Sequence, residues 1–155
     1  IALYGKRLGG LVCLKAYNPE ISSMVLTGPI TDSMNYDWEK FYSEEKMQEL
    51  KDKGYLTMGN EQTGYRKISK EMLDAFSQIE QKELLKGVNC PILIIHGDRG
   101  EEEKELLERS KKALKILPNS SKLKVVEGAA HGIRDKYHIV VELTVDWFLN
   151  NFKIR

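Results

Sequence analysis

Cleavage of an acyl group by side chains needs a nucleophile, a base to take its proton and an acid to orient the base. This chain carries residue types for two of those tasks. His131 stands in Gly128-Ala129-Ala130-His131-Gly132, directly after an apolar run, where an imidazole can act as a base. Asp32 follows one apolar run, Asp98 and Glu101 follow another, and any of them could orient it. A third segment, Gly5-Lys6-Arg7-Leu8-Gly9-Gly10, reads as a glycine-bounded turn between a strand and a helix, a geometry that presents its central side chain. That side chain is Arg7. A guanidinium stays protonated in proteins and offers no nucleophilic atom.

The elements that must position these residues are legible from the apolar pattern. Ile1 to Tyr4, Ser23 to Thr27, Ile92 to His96 and Leu123 to Val126 are short apolar runs that fit buried strands of a parallel sheet. Helical spacing fills the intervals. Leu8 to Tyr17 stops before Asn18-Pro19, and Glu101 to Leu117 stops at Pro118. The first turn of the latter carries three glutamates, which suit the positive end of a helix dipole. A last helix from about Lys136 to Asn151 has its apolar stripe in Ile139, Val140, Leu143, Trp147 and Phe148. The middle, Thr31 to Asn89, is charged and shows no strand pattern. Ser43 to Lys53 reads as a helix closed by Gly54, Gly54 to Arg66 as loop, and Ser69 as the cap of a further helix. The expected fold class is therefore α/β, a parallel sheet of about four strands with helices on both faces and a helical insertion. The expected division is 1–32 with 89–155 as the core and 33–88 as the insert.

Composition excludes several partners. The 155 residues are 41% hydrophobic and 30% charged, and their formal charge is +1. There is no basic excess for nucleic acid and no polybasic block for a membrane surface. No apolar run reaches the ~18 residues of a membrane span. Cys13 and Cys90 are far apart, with no C-x-x-C, and read as reduced thiols of a cytoplasmic protein. His96, His131 and His138 lack metal-ligand spacing, so no metal and no cofactor are expected.

Three landmarks in order, the Gly5–Gly10 turn, Pro91 to Gly100 with its His96-Gly97 step, and Val125 to Gly132, resemble the α/β-hydrolase family of serine esterases, lipases and peptidases. The resemblance runs over essentially the whole chain and corresponds to the second half of that fold, with 33–88 as its cap. It implies that His131 holds the base position, that Arg7 stands where the family carries serine, and that Gly100 stands at the acid position. Asp98, Glu101 and Asp32 are the possible substitute acids. Leu8 supplies one oxyanion N–H, and Gly5, Gly9 and Gly10 form the elbow. Lys6, Ser22, Ser23 and Cys13 are poor replacements for the nucleophile by position. An arginine gives no functional reason to hold the elbow strain, so the turn is expected to relax, or Arg7 to reach solvent or a carboxylate such as Glu101.

The resemblance further implies a degenerate hydrolase, inactive as written. A non-catalytic interaction module and an artificial truncated fragment are the alternatives. In the family the elbow strand lies inside the sheet. Here Ile1 to Tyr4 would be an edge, so a homo-oligomer, a dimer through that strand, is expected, or else a chain supplying the missing first half. A dehydrogenase reading rests on Gly5 and Gly9 with Tyr36–Lys40 or Tyr42–Lys46, but it wants glycine at Leu11 and places both pairs in the insert.

Overall fold

The computed structural model describes residues 1–34, 38–62, 64–130 and 132–151. In chain order its elements are β1 (Ala2–Lys6), α1 (Leu8–Lys15), β2 (Ser23–Thr27), α2 (Trp38–Phe41), α3 (Glu44–Lys53), β3 (Tyr55–Asn60), β4 (Gly64–Ser69), α4 (Lys70–Ser77), α5 (Gln81–Leu85), β5 (Ile92–Gly97), α6 (Glu101–Ala113), β6 (Lys122–Val126) and α7 (Tyr137–Asn151). They fall into two units, residues 1–32 with 80–155, and residues 33–79. Residues 80–88, which the sequence pattern assigned to the insert, cluster with the first unit. There Leu85 and Val88 pack in its core.

The first unit is built on a four-stranded parallel sheet in the order β1-β2-β5-β6. Every residue of β2 and β5 is buried, as continuous apolar runs require of central strands. Alternation sends Met24, Leu26, Ile92 and Ile94 to one face, against Leu14 of α1, Leu85 of α5 and Ala113 of α6. Val25, Leu93 and Ile95 go to the other, against Val140 and Trp147 of α7. Each large aliphatic buried this way contributes on the order of 1.5–3 kcal/mol. Trp147 is core, as its place in the stripe predicts, and its Nε1–H donates to Ser23 Oγ at 2.9 Å. The helix expected over Glu101 to Leu117 ends earlier, at Ala113, and the last residues before Pro118 form turns that still bury Leu117.

The second unit corrects one expectation. Gly54 to Arg66, read as loop, holds most of an antiparallel hairpin, β3 paired with β4 in the register Leu56↔Ile68. Leu56 is fully buried with Leu50 and Leu73, whereas β4 faces solvent almost throughout. A strand that buries so little leaves no alternation in its sequence. Ser69 caps α4 as expected, accepting from Met72 N–H at 3.2 Å; Ser43, read as the first residue of its helix, instead caps α3, accepting from Lys46 N–H at 3.4 Å, and Gly54 ends α3 with φ 73°. Trp38 and Tyr42 stack on each other with centroids 6.1 Å apart, beside Leu50 and Leu56.

Candidate functional site

The described site residues named from sequence lie at or after the carboxyl ends of the parallel strands, where open α/β sheets present their chemistry. β1 ends at Lys6 and α1 begins at Leu8, so Arg7 alone makes the turn. Its backbone has φ 53° and ψ −118°. The expected relaxation of the turn does not occur, and the reason is visible on both sides of it. Arg7 N–H donates to Thr27 O at 2.8 Å, and Arg7 O accepts from Gly10 N–H at 2.9 Å. The sheet and the helix together hold a conformation that costs about 1–3 kcal/mol.

The glycines divide by role. A Cβ on Gly5 would lie 2.6 Å from Gly9 O and 2.7 Å from Cys13 Sγ, and one on Gly10 would lie 2.8 Å from Pro29 Cβ. Both are needed for the close approach of strand, helix and the segment after β2. Gly9 has open space around it and is not required by packing.

The Arg7 side chain turns toward the loop after β6. A Cβ on Gly132 would stand 2.6 Å from Arg7 Nη2 and 3.2 Å from Cζ, so the guanidinium lies against that residue's backbone. The expected contact with Glu101 is absent. Glu101 is 91% exposed and pairs with Lys104 at 3.3 Å. Positive charge gathers at the elbow. Burial, and then the charges of Arg7 and Arg134, hold the Lys6 ammonium below its usual range. That ammonium sits 5.4 Å from the centre of the Tyr137 ring. Leu8 opens α1, and its N–H is one of the first-turn donors without an intrahelical acceptor.

His131 lies outside the described residues. The loop on either side of it is firmly held. Asp98 Oδ1 accepts from Gly128 N–H at 2.7 Å, and Ala129 O accepts from the N–H groups of Asp98 and Arg99, each at 3.1 Å. Gly97 lets these segments meet, since a Cβ there would fall 2.2 Å from Ala129 O. Asp98 thus positions the loop backbone with one carboxylate oxygen. Gly100, at the acid position, precedes α6 with φ 90° and ψ 146°, near the region open only to glycine, although nothing lies within 4 Å of where a Cβ would be. Asp32 is half-buried beyond the end of β2.

One polar constellation was missed from sequence. His96 Nδ1 meets Glu103 Oε1 at 2.8 Å, and His96 Nε2 meets Ser110 Oγ at 2.8 Å. Glu103 Oε1 also accepts from Gly97 N–H at 3.0 Å. The partners follow the order serine, histidine, acid, yet all three side chains are fully buried between β5 and α6. This is internal wiring that fixes the strand end and the helix start, not a site open to substrate. The signal was present as a serine on the apolar face of α6, seven residues after a glutamate. Burial pushes the Cys13 thiol up, and the buried Cys90 thiol up to about 11, so neither favours the thiolate a nucleophile needs. Among the described residues no cluster of His, Cys, Asp and Glu could hold a metal ion, and no helix is long and apolar enough to cross a membrane.

No protein-family model matches the chain, and no curated protein matches it. Solved structures do. The α/β hydrolase GrgF from Penicillium sp. sh18 aligns with a TM-score of 0.70 at 14% identity over 97% of this chain and 63% of its own. A monoacylglycerol lipase from Paleococcus ferrophilus aligns with a TM-score of 0.67 at 15% identity, covering 97% and 68%. Est1E from Butyrivibrio proteoclasticus, solved with ferulic acid bound, gives 0.65 at 19% identity, covering 96% and 58%. The fold resembles that of the α/β-hydrolases. The chain spans between half and about two-thirds of the length of the structures it matches.

Proposed function

We propose that this chain is a degenerate hydrolase-fold domain, related to enzymes that cleave carboxylic esters or amides and inactive by the serine mechanism as written. The observation that carries the reading is Arg7 at the apex of a turn that keeps its strained geometry while its guanidinium lies on Gly132, beside the base position. A serine at that apex would present its hydroxyl to attack. An arginine instead fills the space between elbow and histidine loop with a fixed cation. In a serine protease, loss of the nucleophile costs on the order of a millionfold in kcat. The wired His96–Glu103–Ser110 set offers no substitute, because it is closed to solvent.

The test is exposure of the unmodified protein to a fluorophosphonate probe and to short-chain p-nitrophenyl esters. No covalent adduct and no turnover above buffer are expected. A serine adduct located by mass spectrometry would overturn the reading.

A further inference from the structure

We propose that Ser110 sets the tautomer of His96, and that the series Ser110, His96, Glu103 is a one-way hydrogen-bond device that positions the end of β5 against the loop after β6. All three side chains are fully buried, so each of their polar hydrogens needs an acceptor inside the protein. The direction of the series is set at its serine end. Ser110 Oγ lies 2.8 Å from His96 Nε2 and makes no other hydrogen bond among the described residues. A hydroxyl has a single proton to donate, and Nε2 alone is placed to accept it. Nε2 is then the bare nitrogen of the ring.

The other ring nitrogen follows. An imidazole with a bare Nε2 carries its proton on Nδ1, which faces Glu103 Oε1 at 2.8 Å. Oε1 accepts from Nδ1–H and also from Gly97 N–H at 3.0 Å. Glu103 lies in the first turn of α6, where the helix dipole favours the carboxylate and so the acceptor role. The opposite arrangements each strand a proton. An imidazolium makes Nε2 a donor and leaves Ser110 O–H with nothing to receive it. A protonated Glu103 that donates to Nδ1 sends the ring proton to Nε2, with the same result. A buried donor without an acceptor keeps its full desolvation cost, so the series runs from Ser110 O–H to Nε2 and from Nδ1–H to Oε1.

The series ends on backbone that the candidate site uses. Glu103 holds Gly97 N–H, and Gly97 is the residue whose lack of a Cβ lets Ala129 O come close. Ala129 O in turn accepts from Asp98 and Arg99 N–H, each at 3.1 Å. Ser110 on α6 thus orients the ring, the ring orients the carboxylate, and the carboxylate fixes the strand end on which Ala129 rests. Ser110 is a positioning residue for this loop, acting through His96 and Glu103.

Nuclear magnetic resonance of the ring nitrogens in the ¹⁵N-labelled whole chain at neutral pH tests the tautomer. The other histidines are His131 and His138, so His131→Gln and His138→Gln identify the His96 signals. A proton on Nδ1 and a bare Nε2 are expected. A proton on Nε2, or on both nitrogens, overturns the proposal. Amide hydrogen exchange tests the positioning role. Ser110→Ala should speed exchange at Gly97, Asp98 and Arg99 on the order of tenfold relative to the β2 amides, and Ser110→Thr, which keeps the donor, should restore protection. Unchanged exchange at those three amides in Ser110→Ala, or an equal rise throughout the sheet, overturns it. If the added methyl group of Ser110→Thr prevents folding, the native ring nitrogens and Ser110→Ala decide the matter.

Discussion

The guanidinium of Arg7 and the backbone of Gly132 are in direct contact, linking the turn after β1 to the loop after β6. Gly132 has φ 86°, so the position disfavours a Cβ for its own backbone as well as for lack of space. Gly132→Ala should destabilise by about 1–2 kcal/mol. In an Arg7→Ala background the steric part disappears and only the backbone part remains. A double-mutant cycle by urea denaturation should show a coupling of about 0.5–1 kcal/mol between the two positions.

Arg7 should invert the usual ranking of alanine and glycine. In ordinary backbone, alanine is the more stable replacement. With φ 53° and ψ −118°, Arg7→Gly should be more stable than Arg7→Ala by about 1 kcal/mol, because glycine alone relieves the strain. Equal stabilities would mean that the turn relaxes once the arginine is gone.

The elbow glycines give opposite signs. Gly9→Ala adds a methyl group in open space inside α1 and should stabilise by about 0.5–1 kcal/mol. Gly5→Ala places its methyl within 3 Å of Gly9 O, Cys13 Sγ and Gly10 Cα and should cost about 1–3 kcal/mol. Thermal melts of the two variants separate the readings by the direction of the shift.

Ser110→Ala deprives a fully buried His96 nitrogen of its hydroxyl partner and should cost about 1–3 kcal/mol. The loss should appear in hydrogen exchange at Gly97 and in the first turn of α6, the region that the same histidine and Glu103 hold in place.

In the second unit, Glu49 ties α3 to β3. It accepts from Thr57 Oγ1–H at 2.7 Å, Lys46 Nζ at 2.9 Å and Thr57 N–H at 3.1 Å. The Thr57 hydroxyl, then Lys46 and the Thr57 amide, pull its carboxyl down to about 2 from 4.5. Because the folded value is the lower one, this stabilisation is complete above the unfolded value. It is lost as pH falls from there toward 2. Glu49→Gln should remove that component from the acid titration of the unit's stability, and an unchanged acid profile would contradict the assignment.

The sheet was legible because central strands advertise themselves. Met24 to Leu26 and Ile92 to Ile95 must be apolar at every position when both faces are covered. The strand–turn–helix outline of the elbow, the Ser69 cap and the core place of Trp147 were legible for similar local reasons. The β3–β4 hairpin was not, since most of β4 is bathed in water and needs no pattern. Nor was the His96–Glu103–Ser110 set, whose members are a strand end and two turns of a helix brought together only by packing.

By itself the sequence determined the α/β pattern, the order of its landmarks and the chemical fact that Arg7 cannot attack a carbonyl. Those follow from side-chain type and period. Only the tertiary structure decided that the elbow stays strained, that Arg7 lies on Gly132 rather than reaching Glu101, and that His96, Glu103 and Ser110 close on one another out of reach of solvent. Strain, contact and exposure depend on what lies across space from a residue, and that is set by the packing of segments far apart in the chain.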